Sequence, residues 1–174
     1  MSVLEVGCGD GSRSLNLARR CERLTAIDPE IDKIRESKLD QIPNTVFEAG
    51  KTEDLKFKNR SFDAVIFTLS LHHVPIPQMT TAINEAIRVV RPNGYIAFLG
   101  PTEDGSFFEA ELKFDACDGD ERPEKQAAYS AISNHHGLRQ LTELDDETVF
   151  EFDSVDDFIN SMDPKKIQTR LKRF

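Results

Sequence analysis

The chain has 174 residues and a formal net charge of −9, with 39% hydrophobic and 30% charged residues, as is ordinary for one globular domain. The negative charge disfavours a nucleic-acid partner, because such partners are bound largely through lysine and arginine. No apolar run approaches the roughly 18 residues that span a bilayer, and the amino terminus has no signal-peptide pattern, so we predict a cytoplasmic protein without a membrane partner.

The amino-terminal residues combine a short strand with a glycine-rich turn. A strand is predicted over 2–6, and Gly7, Gly9 and Gly11 follow it at every second position, before a predicted helix over 12–21. Glycines after a strand let the chain turn sharply and let a ligand approach main-chain atoms. The third glycine comes one residue earlier than in the G-x-G-x-x-G fingerprint of dinucleotide-binding proteins, and an ordinary strand-to-helix connection is the alternative.

A second strand, predicted over 23–28, ends in an acidic residue. Asp28 stands 21 residues after Gly7. In nucleotide-binding α/β sheets, a carboxylate about 20 residues beyond the glycines accepts hydrogen bonds from ribose hydroxyls. Pro29 suits the first turn of a helix near 30–39, for which Asp28 is alternatively a surface cap. The sequence therefore predicts a ligand that carries a ribose.

Apolar runs then alternate with segments of helical period, which is typical of a parallel sheet covered on both faces. Further strands are predicted over 45–49, 62–68 and 95–99. The helix predicted near 78–90 has a single apolar stripe of five residues, and a Pro-Asn-Gly run ends it. The stripe consists of Met79, Ile83, Ala86, Ile87 and Val90.

The last third of the chain is less regular. An apolar group over 107–114 predicts a rim beside the site, and a helix is predicted at about 123–136. Leu138–Leu144 and Thr148–Phe152 are predicted to pair as an antiparallel hairpin. Ser154 is the predicted cap of a short helix that runs through Met162.

Charge divides the chain into a domain over 1–162 and a basic tail over 163–174. The last ten residues carry +5, which leaves −14 on the rest of the chain. The tail contacts an acidic face of its own chain or of a second copy, the latter giving a homodimer, or it stays solvated as a partly frayed terminal helix. The three cysteines are scattered, and the acidic run over 115–124 does not have the alternating ligands and glycine of a calcium loop. We therefore predict reduced thiols and no metal site.

Five segments, in this order, resemble the class I S-adenosylmethionine-dependent methyltransferases. They are Leu4–Ser12, Asp28, Gly50–Leu55, Ser61–Phe67 with Leu71–Val74, and Arg88–Ala97. The resemblance implies an α/β, Rossmann-like, doubly wound sheet that is mostly parallel, with an antiparallel last strand supplied by the hairpin. It also implies transfer of a methyl group from S-adenosyl-L-methionine to an acceptor, which we expect to be a small molecule.

The resemblance also assigns roles to residues of the cofactor site. Glu5 orients the amino-acid end, Gly7, Gly9 and Gly11 line the methionine and ribose side, Asp28 holds the ribose diol, Thr52 and Glu53 flank the adenine, and Leu69 contacts the methionine moiety through its backbone. Lys51 departs from the family pattern, because many relatives have an acid there that accepts from the adenine amino group. Lysine has no acceptor, so Glu53 or Asp54 substitutes for the acid, or packing holds the adenine.

A histidine pair follows the fourth strand, where many members of the family place a residue that faces the acceptor. His73 is the candidate catalytic residue, because an imidazole with a pKa of about 6.5 can remove a proton from a hydroxyl or an amine. The alternative is that His72 and His73 only pack in the loop before Pro75.

The first strand begins at the start of the chain, whereas relatives usually carry a helical segment before it. We therefore expect a fold that lacks the usual N-terminal cap helices, either as a shortened product or with cover from another subunit or from Phe107 and Phe108. Two other functions stay open. One is a noncatalytic module that binds the cofactor or a partner, and the other, disfavoured by the glycine spacing, is a nucleotide-dependent oxidoreductase.

Overall fold

A computed structural model describes residues 1–32, 34 and 42–165, which divide into two compact units. The sheet unit comprises Met1–Pro101 and Ala127–Arg139. The second unit comprises Thr102–Gln126 and the residues from Gln140 onward. Within the described ranges, no helix combines the length and the apolar character that crossing a bilayer requires.

The sheet unit is built on parallel strands. In the described part of the chain these are β1 (Ser2–Val6), β2 (Arg23–Asp28), β3 (Thr45–Ala49), β4 (Phe62–Thr68) and β5 (Val90–Leu99). Their order in the sheet is β3-β2-β1-β4-β5. The chain thus moves outward from β1 in one direction and then crosses back to continue on the other side. Such a reversal places a crevice at the carboxyl ends of β1 and β4, where ligands bind in open α/β sheets.

Alternate residues of β1 enter two different cores. Leu4 and Val6 are buried on one face of the sheet with Phe67, whereas Val3 is buried on the other face with Leu24. A central parallel strand is covered on both faces, so its sequence is a nearly continuous apolar run. This explains why the strands could be predicted from apolar runs, and the predicted bounds of β1 to β4 are confirmed.

The helices are α1 (Ser14–Ala18), α2 (Met79–Val89), α3 (Gly105–Phe114), α4 (Arg122–Ser133) and α5 (Val155–Met162). The predicted apolar stripe of α2 is confirmed for Met79, Ile83 and Ala86, which are fully or almost fully buried in the core on the β4 side of the sheet, and for Ile87, which packs against that core. Val90 is instead the first residue of β5, so the helix ends before the Pro-Asn-Gly run, and β5 begins five residues earlier than the predicted 95–99. The predicted cap of α5 is also confirmed, because Ser154 Oγ accepts a hydrogen bond from Asp157 N–H at 3.0 Å. The first helix is shorter than the predicted 12–21.

The predicted antiparallel last strand is wrong. Every strand pairing in the described residues is parallel, and residues 138–152 form neither strand nor helix. The leucines at 138, 141 and 144 recur every third residue, so a strand would divide them between its two faces. The intervening Asp145-Asp146-Glu147 contains no glycine or asparagine, which two-residue hairpin turns favour.

The segment predicted as a rim forms helix α3 of the second unit. Phe108 of this helix is buried, and Lys125 Nζ lies 5.1 Å from the centroid of its ring. The Lys125 ammonium also lies 3.6 Å from Glu121 and 4.0 Å from Glu111. The second unit therefore buries a lysine among two carboxylates and an aromatic ring, an arrangement that compensates the cost of desolvating the charge.

Two predictions fall mainly outside the described residues. The helix predicted near 30–39 includes Lys33 and residues 35–39, which are not described. The basic tail over 163–174 is described only as far as Lys165.

Candidate functional site

The glycine-rich turn begins directly after β1, and its three glycines all have positive φ angles. These are +75° at Gly7, +57° at Gly9 and +80° at Gly11, values that residues other than glycine rarely adopt. A Cβ at Gly7 would lie 2.1 Å from the Cβ of Ser70, so that position leaves no room for a side chain. A Cβ at Gly9 would meet nothing within 4 Å. Gly7 is therefore required for packing, and Gly9 faces an open space.

Asp28 connects the turn to the end of β2. Its Oδ2 accepts a hydrogen bond from Gly9 N–H at 2.9 Å, and its Oδ1 accepts one from Glu30 N–H at 2.8 Å. Each carboxylate oxygen has two lone pairs, so both oxygens retain the capacity to accept a further donor. The structure thus brings together the glycines and the acid that the sequence predicted for one site.

Glu5 is fully buried within β1, at the carboxyl end of the strand. Its Oε2 accepts a hydrogen bond from Ser14 Oγ at 2.6 Å, and its Oε1 accepts one from Thr68 Oγ1 at 3.1 Å. Desolvation raises the pKa of Glu5 above its ordinary value of 4.5, although the two hydroxyls and the charge of Arg13 act in the opposite direction. A buried carboxylate therefore lies at the base of the turn.

Cys8 lies within the glycine turn and is buried. Burial, followed by the negative charges of Glu5 and Asp28, raises the pKa of its thiol to about 12. The thiol therefore stays protonated and is a poor nucleophile. Cys8, Cys21 and Cys117 are free thiols in this structure.

The end of β4 faces the glycine turn. Ser70 Oγ donates a hydrogen bond to Val6 O at 2.6 Å, in the same contact that excludes a side chain at Gly7. Leu69 has a φ of +51°, which is uncommon for a residue with a branched side chain. Its N–H donates to Leu99 O at 2.9 Å. Because that N–H is used within the sheet, a ligand contact through the Leu69 backbone would be made by the carbonyl.

The loop after β3 begins with a short helical turn over Thr52–Asp54. Thr52 is buried, Glu53 is half-buried and Lys51 is exposed. Asp54 forms an ion pair with Lys56 at 2.5 Å. The Asp54 carboxylate keeps further acceptor sites, so Glu53 and Asp54 both stay candidates to replace the acid expected at position 51.

The histidine pair occupies another short helical turn, over Leu71–His73, directly after Leu69 and Ser70. His72 is buried and His73 is exposed, and their ring centroids lie 4.1 Å apart. His73 N–H donates to Ser70 O at 3.1 Å. Of the two imidazoles, only that of His73 is therefore accessible to a molecule in solution.

Sequence reasoning missed the partners of the site residues. Ser14, Thr68 and Ser70 carry the hydroxyls that satisfy Glu5 and the end of β1. The available signal was the carboxylate itself, since an ionisable residue in an otherwise apolar central strand requires buried donors nearby. That signal predicts that such donors exist, but not where in the chain they are.

Comparison with known proteins identifies the family. A family model described as "Methyltransferase domain" matches residues 3–94, which is more than half of the chain. The chain belongs to the class I S-adenosylmethionine-dependent methyltransferases. The match covers β1 to the start of β5, and so includes every predicted site residue of this methyltransferase domain.

Individual relatives match the same region. The chain is 36% identical over 99 residues to a fatty-acid O-methyltransferase of Mycolicibacterium smegmatis, a match that covers 55% of this chain and 35% of the relative. It is 35% identical over 96 residues to a ubiquinone biosynthesis O-methyltransferase of Xanthomonas oryzae, a match that covers 53% of this chain and 39% of the relative. A SAM-dependent methyltransferase structure from Aquifex aeolicus has a TM-score of 0.54 at 20% identity, covering 60% of this chain and 58% of that one. The chain thus spans less than two thirds of each of these proteins.

The two glycines should differ in what they contribute to stability. We expect Gly9→Ala to lower the free energy of unfolding by about 1–2 kcal/mol, the cost of a left-handed residue with a Cβ. Gly7→Ala adds a contact of 2.1 Å with Ser70, so its loss should reach about 3 kcal/mol or more. Urea unfolding without ligand measures both values, and equal losses would contradict the close approach at Gly7.

Glu5 should make stability depend on pH in a defined direction. Because its folded-state pKa is raised above 4.5, its contribution is fully present below that pH and declines as the pH rises through the raised value. Glu5→Gln removes this decline, so the stability of the variant minus that of the wild type should increase with rising pH. Unfolding by urea at a series of pH values from about 4 to 8 measures the difference, and a constant difference would show that Glu5 does not titrate in this way.

Proposed function

We propose that this domain binds S-adenosyl-L-methionine and transfers its methyl group to a small-molecule acceptor in the cytoplasm. The observation that carries the proposal is the junction of the glycine turn with Asp28 at the reversal point of the sheet. Membership of the methyltransferase family supports the cofactor and the reaction.

The residues at this junction fit the cofactor. The open space over Gly9 is a cradle that a Cβ would fill, and it adjoins a carboxylate with free acceptor capacity. Asp28 would accept from the ribose hydroxyls, and Gly7, Gly9 and Gly11 would line the ribose and methionine portions. Glu5 is the acid nearest the start of the turn and would orient the amino-acid end. Thr52 and Glu53 would flank the adenine, and Leu69 would contact the methionine moiety through its carbonyl.

When bound, the cofactor supplies an electrophilic methyl group on a sulfonium. In such a displacement, a protein contributes mainly by positioning the two reactants and by excluding water, so a catalytic triad is not required. The glycine turn, which Ser70 and Asp28 hold from two sides, supplies a fixed platform for this positioning. His73 would accept the proton of the attacking group, since its exposed imidazole follows β4 at the same edge of the sheet.

The acceptor class we propose is an apolar molecule with a reactive oxygen, either a carboxyl or a phenolic hydroxyl group. The two relatives described above are named as O-methyltransferases, one of fatty acids and one of ubiquinone biosynthesis. A general base is useful for a hydroxyl acceptor, which must lose its proton as it is methylated. Titration calorimetry with S-adenosylmethionine and S-adenosylhomocysteine, followed by methyl counting on a long-chain fatty acid and on a catechol, tests the proposal. If neither S-adenosylmethionine nor S-adenosylhomocysteine binds, the proposed cofactor is wrong. Binding without methyl transfer to any acceptor would indicate a noncatalytic module.

Asp28 is the residue whose removal should most directly weaken binding. We expect Asp28→Ala to reduce the affinity for S-adenosylhomocysteine by about 1–3 kcal/mol, because the ribose donors lose a charged acceptor and the Gly9 N–H loses its partner. Asp63→Ala is a matched control. Its carboxylate also accepts a main-chain N–H, that of Ser2 at 2.7 Å, but it lies at the amino end of β4. An affinity for Asp28→Ala that equals that of Asp63→Ala would remove Asp28 from the site.

His73 should affect turnover rather than cofactor affinity. Once an oxygen acceptor has been found, His73→Gln should lower the turnover rate by about 10²-fold or more and leave the affinity for S-adenosylhomocysteine unchanged. His136→Gln, which changes another exposed histidine of the sheet unit, should keep the wild-type turnover rate. A wild-type turnover rate in His73→Gln would show that His73 only packs in the loop.

A further inference from the structure

Helix α2 is joined to the loop before β4 by a pair of charged side chains, Glu85 and Arg88, which we call the loop clamp. Arg88 Nη2 donates to Leu55 O at 2.8 Å, and Arg88 Nη1 donates to Phe57 O at 2.7 Å and to Asn59 Oδ1 at 2.9 Å. Glu85 Oε2 accepts from Leu55 N–H at 3.0 Å. One guanidinium and one carboxylate thus satisfy four polar groups of a loop that has no regular structure of its own.

The two clamp residues also fix one another. Arg88 donates to both oxygens of Glu85, through Nε and Nη2, each at 2.7 Å. The Arg88 side chain is 30% exposed and that of Glu85 is 22% exposed, so solvent screens this pair less than it screens an ordinary surface pair. Hydrogen bonding from Arg88 lowers the pKa of Glu85, and Glu85 raises that of Arg88, as expected for a pair that stays charged. The clamp is therefore a rigid unit on the helix.

Leu55 is the residue on which the clamp converges. Both of its main-chain groups are held, the N–H by Glu85 and the carbonyl by Arg88, while its side chain is buried in the core beneath. The turn over Thr52–Asp54 immediately precedes it. With the peptide groups on both sides of Leu55 fixed, the end of that turn cannot rotate or shift without breaking charged hydrogen bonds.

We propose that Glu85 and Arg88 are positioning residues for the adenine base of the cofactor. They act through Leu55 on Thr52 and Glu53. The inference rests on the proposed function, in which that turn flanks the adenine. Neither clamp residue is placed in contact with the ligand. Their effect is to order the turn before binding, which removes an ordering cost from the binding free energy.

The geometry also explains why arginine is the residue at position 88. Three of the acceptors, Leu55 O, Phe57 O and Asn59 Oδ1, require donors that diverge from one planar group. A lysine ammonium is a single point with three donors and does not reproduce a planar fork. Arg88→Lys should therefore keep only part of the positioning effect, whereas a neutral residue of similar length, as in Arg88→Met, should lose it.

The test compares Arg88→Met and Arg88→Lys with a matched control, Arg91→Met. Arg91 also pairs with a carboxylate, that of Asp63, but at the amino end of β4 and away from the turn. Two quantities are measured for each variant. They are the free energy of unfolding without ligand, and the affinity for S-adenosylhomocysteine and for its analogue with hypoxanthine in place of adenine.

We expect Arg88→Met to bind S-adenosylhomocysteine about tenfold more weakly and to discriminate less between adenine and hypoxanthine, with Arg88→Lys intermediate. Arg91→Met should lose stability while keeping both the affinity and the discrimination. Loss of stability alone in Arg88→Met would overturn the inference, because a merely structural clamp does not change base discrimination. If Arg88→Met does not fold, Glu85→Ala takes its place, because it removes the acceptor of the Leu55 N–H. Its affinity and its discrimination between adenine and hypoxanthine are then compared with those of Arg91→Met.

The outcomes separate the two proposals. A wild-type protein that binds no S-adenosylhomocysteine would refute the proposed function and overturn the clamp's role with it. A wild-type protein that binds, together with clamp variants that match it in affinity and discrimination, would overturn the clamp's role alone.

Discussion

The central position of β1 is the constraint on which the rest of the site depends. Its last residue, Val6, lies between Ile27 of β2 and Phe67 of β4. The residues that follow these three positions therefore lie side by side at the carboxyl ends of the strands. The turn after β1 is then held from both directions, by Ser70 against Gly7 and by Asp28 on Gly9. A parallel arrangement is necessary for this, because antiparallel neighbours would bring their amino ends to the same edge.

The carboxylate of Glu5 shows that this region is not organised for stability alone. An apolar residue would suit its place in a central strand, where Leu4 and Val6 are buried on one face and Val3 on the other. The burial of an ionisable group costs free energy even when hydroxyls satisfy it, and groups with displaced pKa values concentrate at functional sites. The pKa of Cys8, three positions along, is raised by burial first and then by the negative charges of Glu5 and Asp28. Two groups at the start of the turn thus have pKa values that burial raises.

Local patterns were sufficient to predict much of this molecule. The bounds of four strands followed from apolar runs, and the cap at Ser154 followed from one residue type before an apolar segment. The hairpin after α4 failed because leucines spaced by three were taken for a strand pattern, although a strand requires a period of two. Helix α3 was missed for a related reason, since its phenylalanines were interpreted as a surface feature.

The connections between distant parts of the chain could not be predicted in this way. Thr68 is 63 residues from Glu5, and Arg88 is 33 residues from Leu55. Sequence patterns show that a buried acid or an arginine in a helix requires partners, but the partners are chosen by the packing of the sheet. The order of the parallel strands is what converts separate motifs into one site.

Strand β5 has a consequence for how this protein behaves at high concentration. Among the described residues it pairs only with β4, so no described strand pairs with its other side, and Tyr95 and Leu99 are largely exposed along it. Unpaired edges of this kind invite strands of other molecules and lead to aggregation. Pro92, which has no N–H to donate, and the irregular pairing near Phe62 protect the amino half of the strand. The carboxyl half contains neither a proline nor an irregular pairing, so it is the half of β5 that is more open to self-association in crowded solution.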